Sequence, residues 1–353
     1  MKQDSSLTLL ASAMAELKQQ KTIYQPTAFW AAASEVIAAD LIQEGLDGFR
    51  RLPKAMSYFV PLYSGSASGI SNAQAEFTTA AFKQEYPHAT KSHQALAHFF
   101  SGKQAALADY RVLRASENHS AALPKLNAFS ESAVGSPVEQ FEWDGQYFSR
   151  SSLNYLLGLS FLKQHLAGEV PRTVLEIGGG FGTLGEIWSQ AGIENWKYID
   201  IDIPPTQSVA DYYLKSVLGE DQVTGFNECP STQTIDIQTL KPASVLGSWQ
   251  IEQLVGEVDL FVNFISFQEM EPDVVQNYLH HVDRLKSRWV LMRNMREGKQ
   301  IQKDGHVGVK TPIQTNDYIS MLPNYRLVAS NLHPYGFETV DGFHSELLLF
   351  KRG

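Results

Sequence analysis

The sequence predicts an α/β protein, with an open and largely parallel sheet in the second part of the chain and a helical region ahead of it. Three observations predict this. An apolar run, Val174 to Ile177, passes directly into glycines at 178, 179, 180 and 182, and then into Leu184-Gly-Glu-Ile-Trp188, which reads as the start of a helix. Strand, glycine turn and helix is the first crossover of an open sheet, where the backbone comes close to a ligand. From 173 onward, strand-like runs alternate with helical periodicity, as parallel sheets require. Up to about residue 130 the periodicity is helical instead.

The elements follow in order. Leu7 to Leu17 carries apolar residues at helical spacing. After Pro26, Thr27 is placed to cap a long helix from Ala28 towards Phe49, with Phe29, Trp30, Val36, Ile37, Leu41 and Ile42 as a buried stripe. Arg50-Arg51 ends it, favourably for the helix dipole. Met56 to Gly69 mixes aromatic and small residues and reads as a loop able to line a pocket. Helices are expected again over 73–84 and 92–115. Residues 117–137, rich in Ser, Ala, Asn and Pro, are the candidate linker. Asp144-Gly145 marks a hairpin, and Ser151 to Leu166 a helix that packs on the sheet.

Within the sheet, strands are expected at 173–177, 196–202, 257–263 and 287–293. A further strand falls near Val223–Phe226 or Thr234–Ile235. Helices are expected over 206–218 and 272–285. Two last strands, 325–330 and 345–351, should pair antiparallel at the edge.

Composition limits the function. The chain has 353 residues, 43% of them hydrophobic, enough to bury a sizeable core. Its net charge of −9 argues against a nucleic-acid-binding surface. The single cysteine, Cys229, excludes an internal disulfide framework and a thiolate metal cluster. No apolar run is long enough to span a bilayer, and Met1-Lys-Gln-Asp does not open a signal peptide. A cytoplasmic protein without a membrane span is expected.

The glycines can be phased two ways. Gly180-Phe-Gly-Thr-Leu-Gly185 fits G-x-G-x-x-G, the dinucleotide fingerprint. Gly178-Gly-Gly-Phe-Gly182 fits G-x-G-x-G, with Glu176 two residues ahead of it. The second is preferred, because Gly178 directly follows the strand and the acid suits a ligand with a cationic amino group. S-adenosylmethionine has such a group; a pyrophosphate does not. A second acid supports this phasing. Asp202, 20 residues after Gly182, ends the next strand beside Pro204-Pro205, where a carboxylate can accept both ribose hydroxyls. Asp200 is its rival. The run Asn263-Phe-Ile-Ser-Phe-Gln-Glu-Met270 should face the reacting end of the ligand, with Glu269 as general base and Asn263 and Gln268 orienting ligand or substrate. Arg150 could pair with a ligand carboxylate, and His344, at the start of the last strand, could take a proton. His280-His281 lie mid-helix and read as surface residues, not a metal pair; His306 and His333 are loop residues without a named partner.

These motifs carry a resemblance. Glu176 to Gly182, Tyr198 to Pro205 and Asn263 to Met270, with Phe29-Trp30 through Gly48-Phe-Arg50, resemble the sugar O-methyltransferases of natural-product and surface-polysaccharide gene clusters. The resemblance covers most of the chain and is weakest over 55–135. It implies a seven-stranded Rossmann-like sheet of the class I methyltransferases over 136–353. It also implies S-adenosylmethionine as methyl donor and a sugar or glycan hydroxyl as acceptor. The helical region, 1–135, would then serve as lid, substrate contact or dimer contact. Gly178, Gly179, Gly180 and Gly182 would cradle the cofactor, with Asn263 and Arg150 as further contacts. Glu176 would hold its amino-acid part and Asp202 its ribose. Methyl transfer would be in line, with Glu269 or His344 taking the proton, and no acidic cluster has metal-ligand spacing. Two other classes stay open: an NAD(P)-dependent Rossmann oxidoreductase, from the other glycine phasing, and a non-catalytic interaction protein that keeps a Rossmann shell.

Overall fold

A computed structural model describes residues 2–64, 69–117, 122–230, 232–303 and 308–353. The N-terminal part is helical: α1 (Lys2–Leu17), α2 (Ala28–Glu44), α3 (Pro53–Tyr58), α4 (Asn72–Glu85), α5 (Thr90–Phe100) and α6 (Lys103–Glu117). α2 stops at Gly45, short of the expected Phe49. Beyond it Arg50 is not a solvated helix-end cation. It is buried, and its guanidinium meets Glu131 Oε2 at 2.9 Å. The helix expected over 92–115 breaks into α5 and α6, where Gly102 turns at φ +73 and Tyr63 packs against it.

The candidate linker does not behave as one where it is described. Leu126 and Phe129 are buried in the main core, and Ser132 N–H donates to Glu186 at 2.8 Å. Residues 118–121 of that stretch, and 65–68 of the expected pocket-lining loop, lie outside the described residues. The hairpin β1 (Phe141–Trp143) and β2 (Gln146–Phe148) then turns at Asp144-Gly145, both with positive φ. α7 (Arg150–Lys163) starts at Ser149, whose hydroxyl caps it, and is buried on nearly every face.

The sheet occupies the rest of the chain. In chain order its elements are β3 (Thr173–Ile177), α8 (Thr183–Gln190), β4 (Lys197–Asp202), α9 (Thr206–Leu218), β5 (Val223–Gly225), β6 (Ile235–Asp236), β7 (Ala243–Gly247), β8 (Leu254–Val255), β9 (Leu260–Phe264), α10 (Pro272–Arg284), β10 (Trp289–Met295), α11 (Thr315–Met321), β11 (Tyr325–Asn331), β12 (Phe337–Glu338) and β13 (His344–Arg352). The strands lie in the order β11-β13-β10-β9-β3-β4-β7-β5, with β12 beside β13 and β6-β8 as a separate pair. β13 runs antiparallel to its neighbours, and the other strands from β10 across to β5 are parallel.

The result is a Rossmann-like mixed sheet, in which β7-β4-β3-β9-β10-β13-β11 forms the seven-stranded arrangement and β5 extends its edge. Sequence reading missed β7. Lys241-Pro-Ala-Ser-Val-Leu-Gly247 looks like a turn, yet all five strand residues are buried. Of the two alternatives for the uncertain strand, Val223–Gly225 joins the sheet and Ile235 joins the small pair.

Alternation along the strands divides the core. Val174, Val262 and Leu291 pack on the face shared with α7, α8 and α9; Leu175, Phe261 and Val290 pack on the face with α10 and α1. The chain runs from β3 outward in both directions, through β4 on one side and to β9 on the other. This makes the carboxyl end of β3 the topological switch point, where open α/β sheets bind ligands. No helix among the described residues is long and apolar enough to cross a membrane.

Candidate ligand-binding and active site

The glycine turn sits at that switch point, tied to the acids of the neighbouring strand. Gly178 takes φ +72, and a Cβ there would run into the Ser266 side chain. A Cβ on Gly179 would lie 2.6 Å from Asp200 Oδ1 and 2.8 Å from Glu176 Oε2. Gly179 N–H donates to Asp200 and Gly180 N–H to Asp202, each at 3.2 Å. The turn therefore rests directly on carboxylates.

The three acids differ in depth. Glu176 and Asp200 stand opposite each other in the β3–β4 register, one layer beneath the turn, and both are fully buried. Glu176 accepts the hydroxyls of Tyr155 at 2.7 Å and Tyr198 at 2.6 Å. Burial pushes its carboxyl up to about 7 against the pull of those two bonds. Burial also pushes Asp200 well up, and its Oδ2 has no partner among the described residues. Asp202 is two residues further along the strand and keeps part of its surface open. Its Oδ1 accepts Ile203 N–H at 2.7 Å, and burial, opposed by its backbone bonds, pushes it up to about 7.

Above the turn lies a cleft of about 1060 Å³, counting its open mouth. Gly178, Gly179 and Gly180 form its floor, and Asp202 and Thr206 one side. Phe264, Ile265, Ser266 and Glu269 form the other, and Asn154 and Tyr155 of α7 close the back. The N-terminal region supplies the roof: Pro26, Thr27 and Trp30 from the start of α2, and Tyr58, Phe59 and Pro61 from the end of α3 and its loop. The pocket-lining expectation for Met56–Gly69 thus holds for these three.

Ile265 has φ +74, a backbone conformation that a β-branched residue rarely adopts. Its N–H donates to Arg293 O at 2.7 Å. Such strain persists only where the surroundings over-determine it, and it concentrates at functional sites.

The structure brings Gly178, Gly179, Gly180, Asp202 and Glu269 together on the cleft walls. It does not bring the other expected site residues there. Glu176 lies behind Gly179, and Gly182 forms the start of α8, packed on Leu214. Asn263 is fully buried: its amide donates to Ile177 O and Ser266 Oγ, and its carbonyl accepts Phe267 N–H and Asn294 Nδ2. It shapes the wall and has no group left for a ligand. Gln268 is likewise buried and accepts Met295 N–H at 2.7 Å.

Arg150 donates to Leu62 O at 2.6 Å and stands over the rings of Tyr63 and Phe337. His344 on β13 is held by Glu297 at 2.7 Å. His344 is not among the residues lining the cleft, whereas Glu269 is. Both oxygens of Glu269 are engaged, by Lys299 Nζ at 2.7 Å and Trp30 Nε1 at 3.0 Å.

Sequence reading missed the roof. Trp30 was expected in a buried stripe, and Thr27 as a helix cap. Trp30 is instead half-buried on the cleft; Thr27 does stand at the N-cap of α2, but its hydroxyl donates to Glu269 O at 3.0 Å and not to the helix.

The remaining candidates lie elsewhere. His281 is buried, not a surface residue. It meets Tyr24 OH at 3.0 Å, and burial lowers its pKa to about 4. His333 is exposed, and His306 lies outside the described residues. Burial raises the Cys229 thiol, the wrong direction for a nucleophile. Among the described residues, no three His, Cys, Asp or Glu side chains are grouped to hold a metal ion.

No family model matches the chain, and no curated protein matches it. Solved structures do resemble it. A magnesium protoporphyrin IX methyltransferase from Synechocystis PCC 6803 with bound SAH is 14% identical, over 58% of this chain and 84% of that one, at a TM-score of 0.40. A SAM-dependent methyltransferase from Aquifex aeolicus is 16% identical over 57% and 94%, at 0.37. The mitomycin 7-O-methyltransferase is 11% identical over 95% and 76%, at 0.36. Likeness at this level leaves the activity to be argued from the site itself.

Proposed function

We propose that this chain is an S-adenosylmethionine-dependent methyltransferase acting on a sugar hydroxyl. The observation that supports it most is the joining, in one cleft, of the glycine turn after β3 with Asp202 at the end of β4, opposite Glu269 after β9. The residues fit the cofactor. The turn can sit down on Ser266 and the buried carboxylates only because Gly178 and Gly179 lack a Cβ, which leaves its backbone as the cleft floor, and Asp202 is a partly open carboxylate at the adjacent strand end. Gly178, Gly179 and Gly180 would hold its amino-acid end and Asp202 its ribose. Glu176, beneath the turn, would act through its field and the Tyr155 hydroxyl. When bound, the cofactor supplies a methyl group activated by a sulfonium centre.

The protein's own part is alignment and exclusion of water. Trp30, Tyr58, Phe59 and Pro61 cover the cleft, and a reaction with an activated methyl depends chiefly on positioning. Glu269 is the proposed proton acceptor, since it is the carboxylate on the wall facing away from Asp202. A general base contributes about 10²–10⁴-fold. Glu269→Gln should slow turnover by about that factor while S-adenosylhomocysteine binds as before; normal turnover in the variant eliminates Glu269 as the base.

Affinity should also depend on pH. Glu176 and Asp202 are held near 7 by burial in the free protein. A cationic ligand favours their ionised forms, so its binding expels protons. Affinity should therefore rise as pH increases towards the free-state value near 7. The rise should be steeper for S-adenosylmethionine, which has the extra sulfonium charge, than for S-adenosylhomocysteine. Calorimetry across this range checks it, and equal slopes for the two would place the sulfonium away from these acids.

The direct test is calorimetric binding of S-adenosylmethionine, S-adenosylhomocysteine and NAD. Gly185 packs closely on the Tyr198 ring, a helix–strand contact compatible with either glycine phasing, so NAD belongs in the panel. Micromolar binding of the first two without NAD supports the proposal. Binding of NAD alone overturns it, and binding of none favours an interaction protein.

A further inference from the structure

The cleft roof has its own chemistry, which bears on the acceptor once the methyltransferase reading is granted. Resting on that reading, we infer that Trp30 and Tyr58, with the Glu269–Lys299 ion pair beside them, form the acceptor subsite. It takes a saturated ring with one apolar face and neighbouring hydroxyls, as in a pyranose.

Trp30, Tyr58 and Glu269 all line the cleft, and both rings are half-buried, leaving ring surface open to it. The two rings stand 6.0 Å apart with their planes 48° from each other. Phe29 braces them, edge-on to Trp30 at 5.9 Å and to Tyr58 at 6.5 Å. Lys299 Nζ lies 4.6 Å from the Phe29 ring centre and 2.7 Å from Glu269 Oε1. Two separate bonds fix this platform to the sheet: Trp30 Nε1 to Glu269 Oε2 at 3.0 Å, and the Thr27 hydroxyl to Glu269 O at 3.0 Å.

The ligand class is set by what these groups can still offer. Aromatic faces are electron-rich and attract the polarised C–H bonds on the apolar side of a sugar ring. Each Glu269 oxygen keeps acceptor capacity beyond its present bond, and the Lys299 ammonium has three N–H donors in all. Adjacent hydroxyls can donate to the first and accept from the second. A wholly apolar acceptor would cover this ion pair without replacing its water, which is unfavourable.

The subsite is also on the correct side. Glu269 follows β9 and Asp202 ends β4, and β3 with its glycine turn lies between those strands. A ligand on Asp202 and an acceptor on Trp30 would therefore meet over the turn, with the acceptor's hydroxyls at Glu269.

Saturation-transfer NMR on the full chain with S-adenosylhomocysteine tests this. The probes are the methyl α-glycosides of glucose, mannose and rhamnose, with catechol as a flat aromatic diol. Wild type should give glycoside signals. Trp30→Ala and Tyr58→Ala should each bind glycosides about tenfold more weakly, Trp30→Phe should retain most of the binding, and S-adenosylhomocysteine affinity should be unchanged in all three. Phe99→Ala, at an exposed position on α5, is the control and should match wild type. Unchanged glycoside binding in both alanine variants overturns the subsite, as does catechol binding without glycoside binding. Tyr58→Ala gives an independent answer if Trp30→Ala does not fold. Glycoside silence with S-adenosylhomocysteine bound overturns the subsite alone, whereas failure of wild type to bind S-adenosylhomocysteine overturns the methyltransferase reading beneath it.

Discussion

Gly179→Ala should abolish S-adenosylhomocysteine binding and lower the melting temperature by several degrees. The added methyl would sit 2.6 Å from Asp200 Oδ1 and 2.8 Å from Glu176 Oε2. Neither carboxylate can swing away. Both are fully buried, Glu176 is held by two tyrosine hydroxyls and Asp200 by Gly179 N–H itself. The turn would have to lift, pulling Gly180 N–H from Asp202 and moving the backbone that meets the ligand. Overpacking of this kind costs about 1–3 kcal/mol, which in a chain of this size is a few degrees of melting temperature. Gly145→Ala is the comparison. It also sits at positive φ, but its Cβ would meet nothing within 4 Å. It should lose some stability and no ligand affinity. A Gly179→Ala protein that binds S-adenosylhomocysteine normally would show that the turn is not the cofactor floor.

Asp202→Asn should separate binding from stability. The substitution keeps an acceptor for Ile203 N–H, puts an amide nitrogen in place of the oxygen that accepts Gly180 N–H, and removes the charge. Two charge-assisted bonds to a ribose are worth about 1.5–3 kcal/mol each, so affinity should fall by about 10²–10⁴-fold. The empty protein should respond the other way. The carboxyl is raised in the folded state to about 7 from an ordinary value of 3.8, so its ionisation opposes folding. That opposition is absent in acid, grows as pH rises from about 4 to 7, and is full above 7. The melting temperature of the asparagine variant relative to wild type should therefore be higher at pH 8 than below pH 4, where only the lost Gly180 bond separates the two proteins. Calorimetric titration and melting curves at both pH values check the two halves. Unchanged affinity would exclude Asp202 as the ribose acceptor. Asp200 could not replace it, because Asp200 is sealed beneath Gly179.

How much was legible in the sequence depends on the range over which each signal acts. The strand from Thr173 to Ile177, its glycine turn and the helices at 206–218 and near 272–285 are encoded by neighbouring residues, through side-chain alternation, glycine and helical spacing, and they stand where expected. β7 escaped notice because the proline ahead of it and the glycine that ends it imitate a turn, and its pairing with two strand neighbours keeps it extended. The break between α5 and α6 was hidden for a similar reason: a lone glycine is tolerated in a helix, and only Tyr63, which fills the space a Cβ at Gly102 would need, shows that glycine is required at that turn.

By itself, then, the sequence determined the α/β class, the glycine turn at a strand end and the presence of acids around it. The tertiary structure decided which of those acids face the cleft. Glu176 and Asp200 share a register one layer below the turn and are covered by it, while Asp202, two residues further on, reaches the wall. It also decided that Trp30 meets Glu269 across 239 residues of chain. No local pattern records such a contact, because it depends on where helix α2 settles against the sheet. Packing therefore set the cleft's roof and its depth, where periodicity and spacing had set its floor.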